Sequence, residues 1–210
     1  KERLIELLRR KSQHEIESLI HHTKHPLPKQ SLRWLVRVKS GDFISNDEIE
    51  KVKTTETPIP VVGGNGIMAF ADKANSKECT IVVGRVGALC GNVHFIQEKS
   101  WVTDNALVVT IISKGVEPEY LVELLKAANL NEKASKSAQP LITGETVKSL
   151  KVSIPDRETQ LGVCQRVARI NENGLRLCQL VENSIGSLRE FRTALITAAV
   201  TGQIDVATWG

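Results

Sequence analysis

Hydrophobic residues recur at steps of four along the first twenty residues of the chain, at Leu4, Leu8, Ile16 and Ile20. This spacing places one apolar stripe on an amphipathic helix. Proline disfavours the helical conformation in the residue before it, so Pro26 and Pro28 are expected to end the helix. The pattern therefore predicts a leading helix over residues 1–25.

Between residues 26 and 155 the pattern changes to short runs of β-branched residues separated by glycine-rich turns. The runs predict strands at residues 59–62, 80–83, 92–96, 106–112 and 152–154. A helix is predicted over residues 117–128, where Pro118 stands near the start of a leucine stripe, and another is predicted to begin near Thr143. Strands mixed with helices indicate a globular domain of the α+β class.

From residue 156 to residue 202, apolar or small residues alternate in steps of three and four, which is the spacing of a coiled-coil seam. We expect six of them to make helix-pairing contacts: Leu161, Leu175, Val181, Ile185, Leu188 and Leu195. Asp156 is predicted to cap this long helix, and residues 203–210 form a tail. A helix of about 45 residues would span roughly 65–70 Å, so its stripe needs a second helix, from this chain or another.

Three glycines interrupt the long helix, and each costs about 1 kcal/mol relative to alanine. They are Gly162, Gly174 and Gly186. We expect a bend at Asn173 and Gly174. The complete prediction is an α+β fold, in which a short leading helix precedes a mixed α/β domain and a long coiled-coil-forming helix follows it.

Composition and charge narrow the function only slightly. The 210 residues are 41% hydrophobic and 25% charged, which are ordinary globular values and exclude wholesale disorder. No apolar run reaches the roughly 18 residues of a membrane span, and the first residues do not resemble a signal peptide, so a cytoplasmic protein is expected. The net charge of +4 is concentrated in residues 1–40, with ten Lys/Arg against four Asp/Glu, and it permits nucleic-acid contact.

The sequence lacks the common catalytic motifs, including phosphate loops, nucleophile elbows and zinc-protease helices, so we expect no enzyme. No metal site is predicted either, because Cys79, Cys90 and His94 lack the two short-spaced ligand pairs of a structural zinc. Both thiols are expected to be buried and structural. Cys164 and Cys178 are about 21 Å apart along a helix, too far for a disulfide within it.

Residues 84–87, Gly-Arg-Val-Gly, match the loop with which one class of RNA-binding module clamps a nucleic-acid backbone. In that module the loop joins two helices. Here the flanking residues 80–83 and 92–96 are predicted strands, which disfavours an RNA-binding module.

Several phrases, taken in order, resemble the specificity subunits of type I restriction-modification enzymes. They are residues 59–66 (Ile-Pro-Val-Val-Gly-Gly-Asn-Gly), 80–87 (Thr-Ile-Val-Val-Gly-Arg-Val-Gly), 101–106 (Trp-Val-Thr-Asp-Asn-Ala), 138–140 (Ala-Gln-Pro), 152–155 (Val-Ser-Ile-Pro) and 188–204 in the long helix. The resemblance covers about residues 57–155 and 185–206.

This resemblance implies that residues 26–155 are a target recognition domain reading one half of a bipartite double-stranded DNA site. It implies that the long helix is a spacer and dimerisation helix, and that the chain is half of a full subunit, either a natural half or a fragment. The implied partners are modification subunits, which carry S-adenosylmethionine, and motor-nuclease subunits, which use ATP and Mg²⁺. No cofactor is expected on this chain, and pairing with a second copy through the long helix stays open.

Family members that read different sequences share the glycine phrases, so those glycines cannot select bases and are expected to form turns. Arg85 is expected to bind a phosphate, with a salt bridge to Asp104 as the alternative. Base and backbone contacts are expected from polar residues on loops: Asn65, Lys73, Asn75, Lys77, Lys99, Lys136, Ser137 and Gln139.

Two other functions stay open at this point. The chain could be an assembly or decoy half-subunit that binds partner subunits without productive DNA reading. It could also be an RNA-binding module, which would prefer single strands over duplex.

Overall fold

A computed structural model of the chain describes residues 2–21, 27–135 and 140–204. It divides into two compact units. One unit combines Lys1–Ser18 with Arg166–Gly210, and the other is Leu19–Gln165. The long helix begins in the second unit and continues into the first.

Four α-helices and nine strands are the main elements of the described residues. The helices are α1 (Glu2–His21), α2 (Pro118–Ala127), α3 (Gly144–Lys148) and α4 (Arg157–Val200). The strands are β1 (Gln30–Ser31), β2 (Val36–Ser40), β3 (Ile59–Gly63), β4 (Gly66–Ala71), β5 (Thr80–Gly84), β6 (Val93–Ile96), β7 (Trp101–Val102), β8 (Ala106–Ile111) and β9 (Lys151–Val152). This confirms the α+β class with a leading helix and a long C-terminal helix.

The strands of the Leu19–Gln165 unit form three sheets. An antiparallel sheet of four strands has the order β2-β8-β5-β6. A second sheet has the order β4-β3-β7, with β3 antiparallel to β4 and parallel to β7. The short strands β1 and β9 pair antiparallel. All five strands predicted from the sequence are present, whereas β1, β2, β4 and β7 were not predicted.

The core of this unit lies on both faces of the four-stranded sheet. On one face Val82 and Val108 are paired across β5 and β8, and they pack in one buried cluster with Val62 and Val102 of the second sheet. Helix α2 packs against β6 and buries a stripe that includes Tyr120, Leu121 and Leu125.

The start of α4 is fastened to the Leu19–Gln165 unit by a buried glutamine. Gln160 has no solvent-exposed surface. Its Nε2 donates to the carbonyl oxygens of Gly115 and Pro155 at 2.8 Å each, and its Oε1 accepts from the Glu117 N–H at 2.9 Å. One turn earlier, the Asp156 carboxylate accepts from the Thr159 N–H at 2.8 Å, which confirms the predicted cap. The Nε2 and Oε1 atoms of the buried Gln160 amide are therefore both hydrogen-bonded to main-chain groups.

In the other unit, α1 packs along the middle of α4. Leu8 and Ile16 of α1 line a groove with Leu175 and Cys178 of α4. A Cβ atom on Gly174 would lie 3.0 Å from Ser12 Oγ. The helix is continuous through Gly174, and the role that the structure gives this glycine is the close approach of the two helices.

The far end of α4 carries exposed apolar side chains. Helix α1 has 20 residues and α4 has 44, so their lengths are about 30 Å and 66 Å. Of the six predicted helix-pairing residues, Val181, Ile185 and Leu195 are half-buried, whereas Leu161, Leu175 and Leu188 are exposed. Leu188 and Phe191 are 53% and 62% exposed. Pairing through these residues stays a prediction.

The cysteines differ in burial. Cys90 is fully buried, and its main-chain oxygen accepts from Asn131 Nδ2 at 2.9 Å, as expected for a structural residue. Cys79 is exposed and has φ 55°, so the prediction that it is buried is wrong, because it stands in a turn just before β5. All four cysteines are free thiols.

Candidate nucleic-acid interface

The recognisable glycine phrases meet at one end of the four-stranded sheet. Because neighbouring strands are antiparallel, the end of β2, the start of β8, the end of β5 and the start of β6 lie together. We use the name turn cluster for three segments at this end: Gly64–Asn65, Gly84–Gly87 and Asp104–Asn105.

The glycines of the turn cluster are required by close backbone approach. A Cβ atom on Gly84 would lie 2.5 Å from the Gly64 carbonyl oxygen, and one on Gly64 would lie 3.2 Å from the Asn105 carbonyl oxygen. Gly66 and Gly87 have φ angles of 98° and 84°, in the region that side chains disfavour. The prediction that these residues form turns is confirmed.

Arg85 is held in place by its main chain and its guanidinium group. Its N–H donates to the Asn105 carbonyl oxygen at 3.0 Å. Its Nη1 donates to Ser40 Oγ at 3.2 Å and to the Asp104 carbonyl oxygen at 3.4 Å. The alternative of a salt bridge is therefore wrong, since Asp104 contributes its main-chain oxygen and the charge of Arg85 is not neutralised there. A guanidinium has five N–H donors, so donors are left for a phosphate.

The segment that holds Lys136, Ser137 and Gln139 lies outside the described residues. Its flanking residues are bonded beside the turn cluster. The Gly87 N–H donates to the Pro140 carbonyl oxygen at 3.1 Å, and the Ser135 N–H donates to the Leu141 carbonyl oxygen at 3.1 Å. The described residues on the C-terminal side of this polar segment are therefore bonded to the Gly84–Gly87 part of the turn cluster.

A half-buried histidine underlies the hairpin turn between β3 and β4. A Cβ atom on Gly66 would lie 3.5 Å from His94 Cε1, and Nε2 of His94 is buried without a hydrogen-bond partner. Burial lowers the pKa of His94 below its usual value. The ring is thus held neutral beneath the turn that presents Asn65.

Asn75 is engaged within its own domain. Its Nδ2 donates to the Asp42 carboxylate and to the Val102 carbonyl oxygen at 2.8 Å each, and its Oδ1 accepts from the Val102 N–H at 2.7 Å. A contact from Asn75 to a base would require breaking these bonds. The base contact stays a prediction.

Lys73 is also paired within the chain. Its amino group contacts the Glu48 carboxylate and lies 5.0 Å from the centre of the Trp101 ring. The hydrogen bond from Lys73, together with two from Ser45, lowers the pKa of Glu48 to about 2. Because both charged groups are exposed, DNA phosphates would compete with Glu48 for Lys73.

Lys77 and Lys99 flank a second junction, where Ser76 and Ser100 are paired as an isolated bridge and their hydroxyls are 2.7 Å apart. Both lysines are exposed. Neither forms an ion pair with a carboxylate in the described part of the chain. Of the predicted contact residues within the described ranges, the structure thus brings Asn65 and Arg85 together and places Lys73, Asn75, Lys77 and Lys99 elsewhere on the unit.

Sequence reasoning missed two cations on β2, Arg37 and Lys39, which are exposed at alternate positions of the strand. The signal was the alternation of valine with a basic residue in residues 36–39, which is typical of a strand with one buried face. Within the described ranges, no three His, Cys, Asp or Glu side chains are grouped to hold a metal ion. None of the helices described is both long and apolar enough to cross a membrane.

Solved structures share this fold at low sequence identity. The S subunit of a type I restriction-modification system from M. genitalium is 17% identical, with a TM-score of 0.66 over 91% of this chain and 54% of that one. The HsdS subunit from Thermoanaerobacter tengcongensis is 13% identical, with a TM-score of 0.66 over 97% of this chain and 54% of that one. A structure describing assembly and conformational transition of the type I R-M system is 14% identical, with a TM-score of 0.70 over 94% of this chain and 54% of that one.

The sequence comparisons agree with this fold. The Escherichia coli type I restriction enzyme EcoprrI specificity subunit is 32% identical over 133 residues, which are 63% of this chain and 33% of that protein. This chain thus spans about a third of that relative and about half of each solved structure. The family model described as type I restriction modification DNA specificity domain matches residues 31–168, which is more than half of the chain. The chain therefore belongs to the type I restriction-modification DNA specificity domain family.

Proposed function

We propose that this chain reads one half of a bipartite double-stranded DNA site for a type I restriction-modification complex. The observation that carries the proposal is the turn cluster, which gathers Arg85, Asn65 and the flanks of residues 136–139 at one end of the sheet. Arg85 supplies a cation for the phosphate backbone, and Lys136, Ser137 and Gln139 supply donors and acceptors for base edges.

The chemistry belongs to other subunits in this proposal. The chain contributes recognition, and it takes no cofactor itself. Modification subunits bring S-adenosylmethionine, and motor-nuclease subunits use ATP and Mg²⁺. Such a complex acts where bacterial DNA lies, in the cytoplasm.

The second half of the DNA site requires a second recognition domain. The exposed apolar residues at the far end of α4 support pairing of this helix with another helix of the same kind, from a second copy or from a longer chain. In the proposal, the paired helices set the distance between the two half-sites.

A genome-wide methylation map tests the proposal. Cells that express this chain with its modification subunit should show a bipartite methylated-adenine motif that is absent without the chain. Identical inverted halves would indicate a homodimer, and different halves would indicate a second recognition domain. An unchanged map, with an active modification subunit, would contradict DNA reading and favour the assembly or decoy function.

Helix pairing should fail when a charge enters the apolar seam. We expect Leu188→Asp to abolish association through α4, since an aspartate at the contact would be desolvated without a partner. Analytical ultracentrifugation of the full chain measures the change in mass. Glu190→Asp, at an exposed position near Leu188, is the matched control. Association that survives Leu188→Asp would show that the contact surface lies elsewhere.

A further inference from the structure

β2 is an edge strand of the four-stranded sheet and presents two cations on one face. Arg37 and Lys39 are two positions apart, so their side chains emerge from the same face, and both are exposed. Their register partners on β8 are Thr110 and Val108, which share that face. The intervening Val38 belongs to the opposite face.

The charges of Arg37 and Lys39 are not neutralised within the described part of the chain. Neither forms an ion pair there, whereas Arg33, Lys73 and Arg157 each contact a carboxylate. Unpaired cations on a regular strand are held at a fixed spacing, unlike those on a loop. Two alternate positions on a strand are about 6.8 Å apart, which is twice the axial distance of about 3.4 Å between phosphates of one DNA strand.

The same strand leads into the turn cluster. β2 ends at Ser40, and the Ser40 hydroxyl accepts from the Arg85 guanidinium at 3.2 Å. Ser40 belongs to the face of Val38, so Arg85 is fixed at the end of the strand and not in line with Arg37 and Lys39. We infer that Arg37 and Lys39 form a phosphate ridge that holds the backbone of duplex DNA along β2, the strand that ends at the turn cluster.

This inference rests on the proposed function and adds the backbone-binding surface to it. Phosphate contacts fix the register and orientation of a protein on the duplex but carry no sequence information. In the proposal the ridge orients the DNA, and base reading stays with Asn65, Lys136, Ser137 and Gln139. The contribution of the ridge to duplex binding is measurable without knowledge of the target sequence.

The test is the salt dependence of binding to a fluorescently labelled duplex of mixed sequence, using the full chain. Each phosphate contact contributes about 0.9 to the slope of log Kobs against log salt. The double variant Arg37→Gln with Lys39→Gln should reduce the slope by about 1.8 relative to wild type. Arg37→Lys with Lys39→Arg keeps both charges and should keep the wild-type slope.

A matched control removes two charges elsewhere on the same unit. Lys51 and Lys151 are exposed and lie off the four-stranded sheet, so Lys51→Gln with Lys151→Gln should leave the slope unchanged. An unchanged slope in the Arg37/Lys39 variant, with wild type binding normally, would overturn the ridge alone. An equal loss in the control would also overturn it. Absence of salt-dependent duplex binding by wild type would overturn the proposed function itself.

Discussion

Gln160→Glu is expected to destabilise the protein by about 3–5 kcal/mol at neutral pH, although it changes a single atom of the side chain. In the native protein Nε2 donates to the carbonyl oxygens of Gly115 and Pro155. A carboxylate would place an acceptor oxygen against two acceptors, and it would bury a charge with no compensating cation. Thermal and denaturant unfolding of the full chain measure the loss.

The loss should depend on pH. Burial and the two facing carbonyl oxygens favour the neutral acid, so the folded-state pKa of the introduced glutamate is raised above its unfolded value of about 4.3. Below the unfolded pKa the side chain is protonated in both states and can donate to one of the carbonyls. The destabilisation should therefore be smallest near pH 4 and grow as the pH rises through the folded pKa.

Gln165→Glu is the control, because Gln165 is an exposed residue on the same helix. It should change the free energy of unfolding by less than about 0.5 kcal/mol, both near pH 4 and at pH 7. A Gln160→Glu variant as stable as the control at pH 7 would show that the three hydrogen bonds of Gln160 do not hold the start of α4.

Gly84→Ala is expected to cost about 2–3 kcal/mol, because the new methyl group would meet the Gly64 carbonyl oxygen at 2.5 Å. A main-chain atom cannot rotate away as a side chain can. The end of β5 and the turn between β3 and β4 must therefore move apart. The Tm should fall by about 4–12 °C in a chain of this size. Because the displacement is in the turn cluster, duplex binding should also weaken.

Gly115→Ala is the matched control for that substitution. No atom lies within 4 Å of a Cβ built on Gly115, and its φ is not in the left-handed region. Alanine there should stabilise the fold by about 0.4–1 kcal/mol, since it restricts the unfolded chain. Opposite signs of the change in stability for Gly84→Ala and Gly115→Ala would establish close approach as the cause. Equal stabilities would contradict it.

The sequence predicted the elements whose patterns are local. The long helix follows from its periodic seam, and its Asp156 cap follows from the residue type at its start. Strand β2 was missed because Val36 and Val38 are its only apolar residues, which are too few to define a period of two. β4 was missed since Ile67 and Met68, which are exposed in the structure, obscure the period of two.

The candidate site depends on contacts between residues far apart in the chain, which no local pattern encodes. Opposite charge offered a salt bridge between Arg85 and Asp104 as the alternative to a phosphate contact, whereas Arg85 contacts the Asp104 carbonyl oxygen. Asn75 was considered as a base reader because of its type and its polar surroundings. Only the positions of Asp42 and Val102 reveal that its amide is engaged within the fold.

The anchorage of residues 136–139 has an evolutionary consequence. The bonds from Gly87 to Pro140, from Ser135 to Leu141 and from Ile142 to Arg85 all join one main-chain group to another. Such bonds are indifferent to the side chains between the anchors, so mutation can replace those side chains without loosening their attachment. Under the proposed function, a lineage would acquire a new DNA target through a few substitutions there, while its scaffold is inherited unchanged.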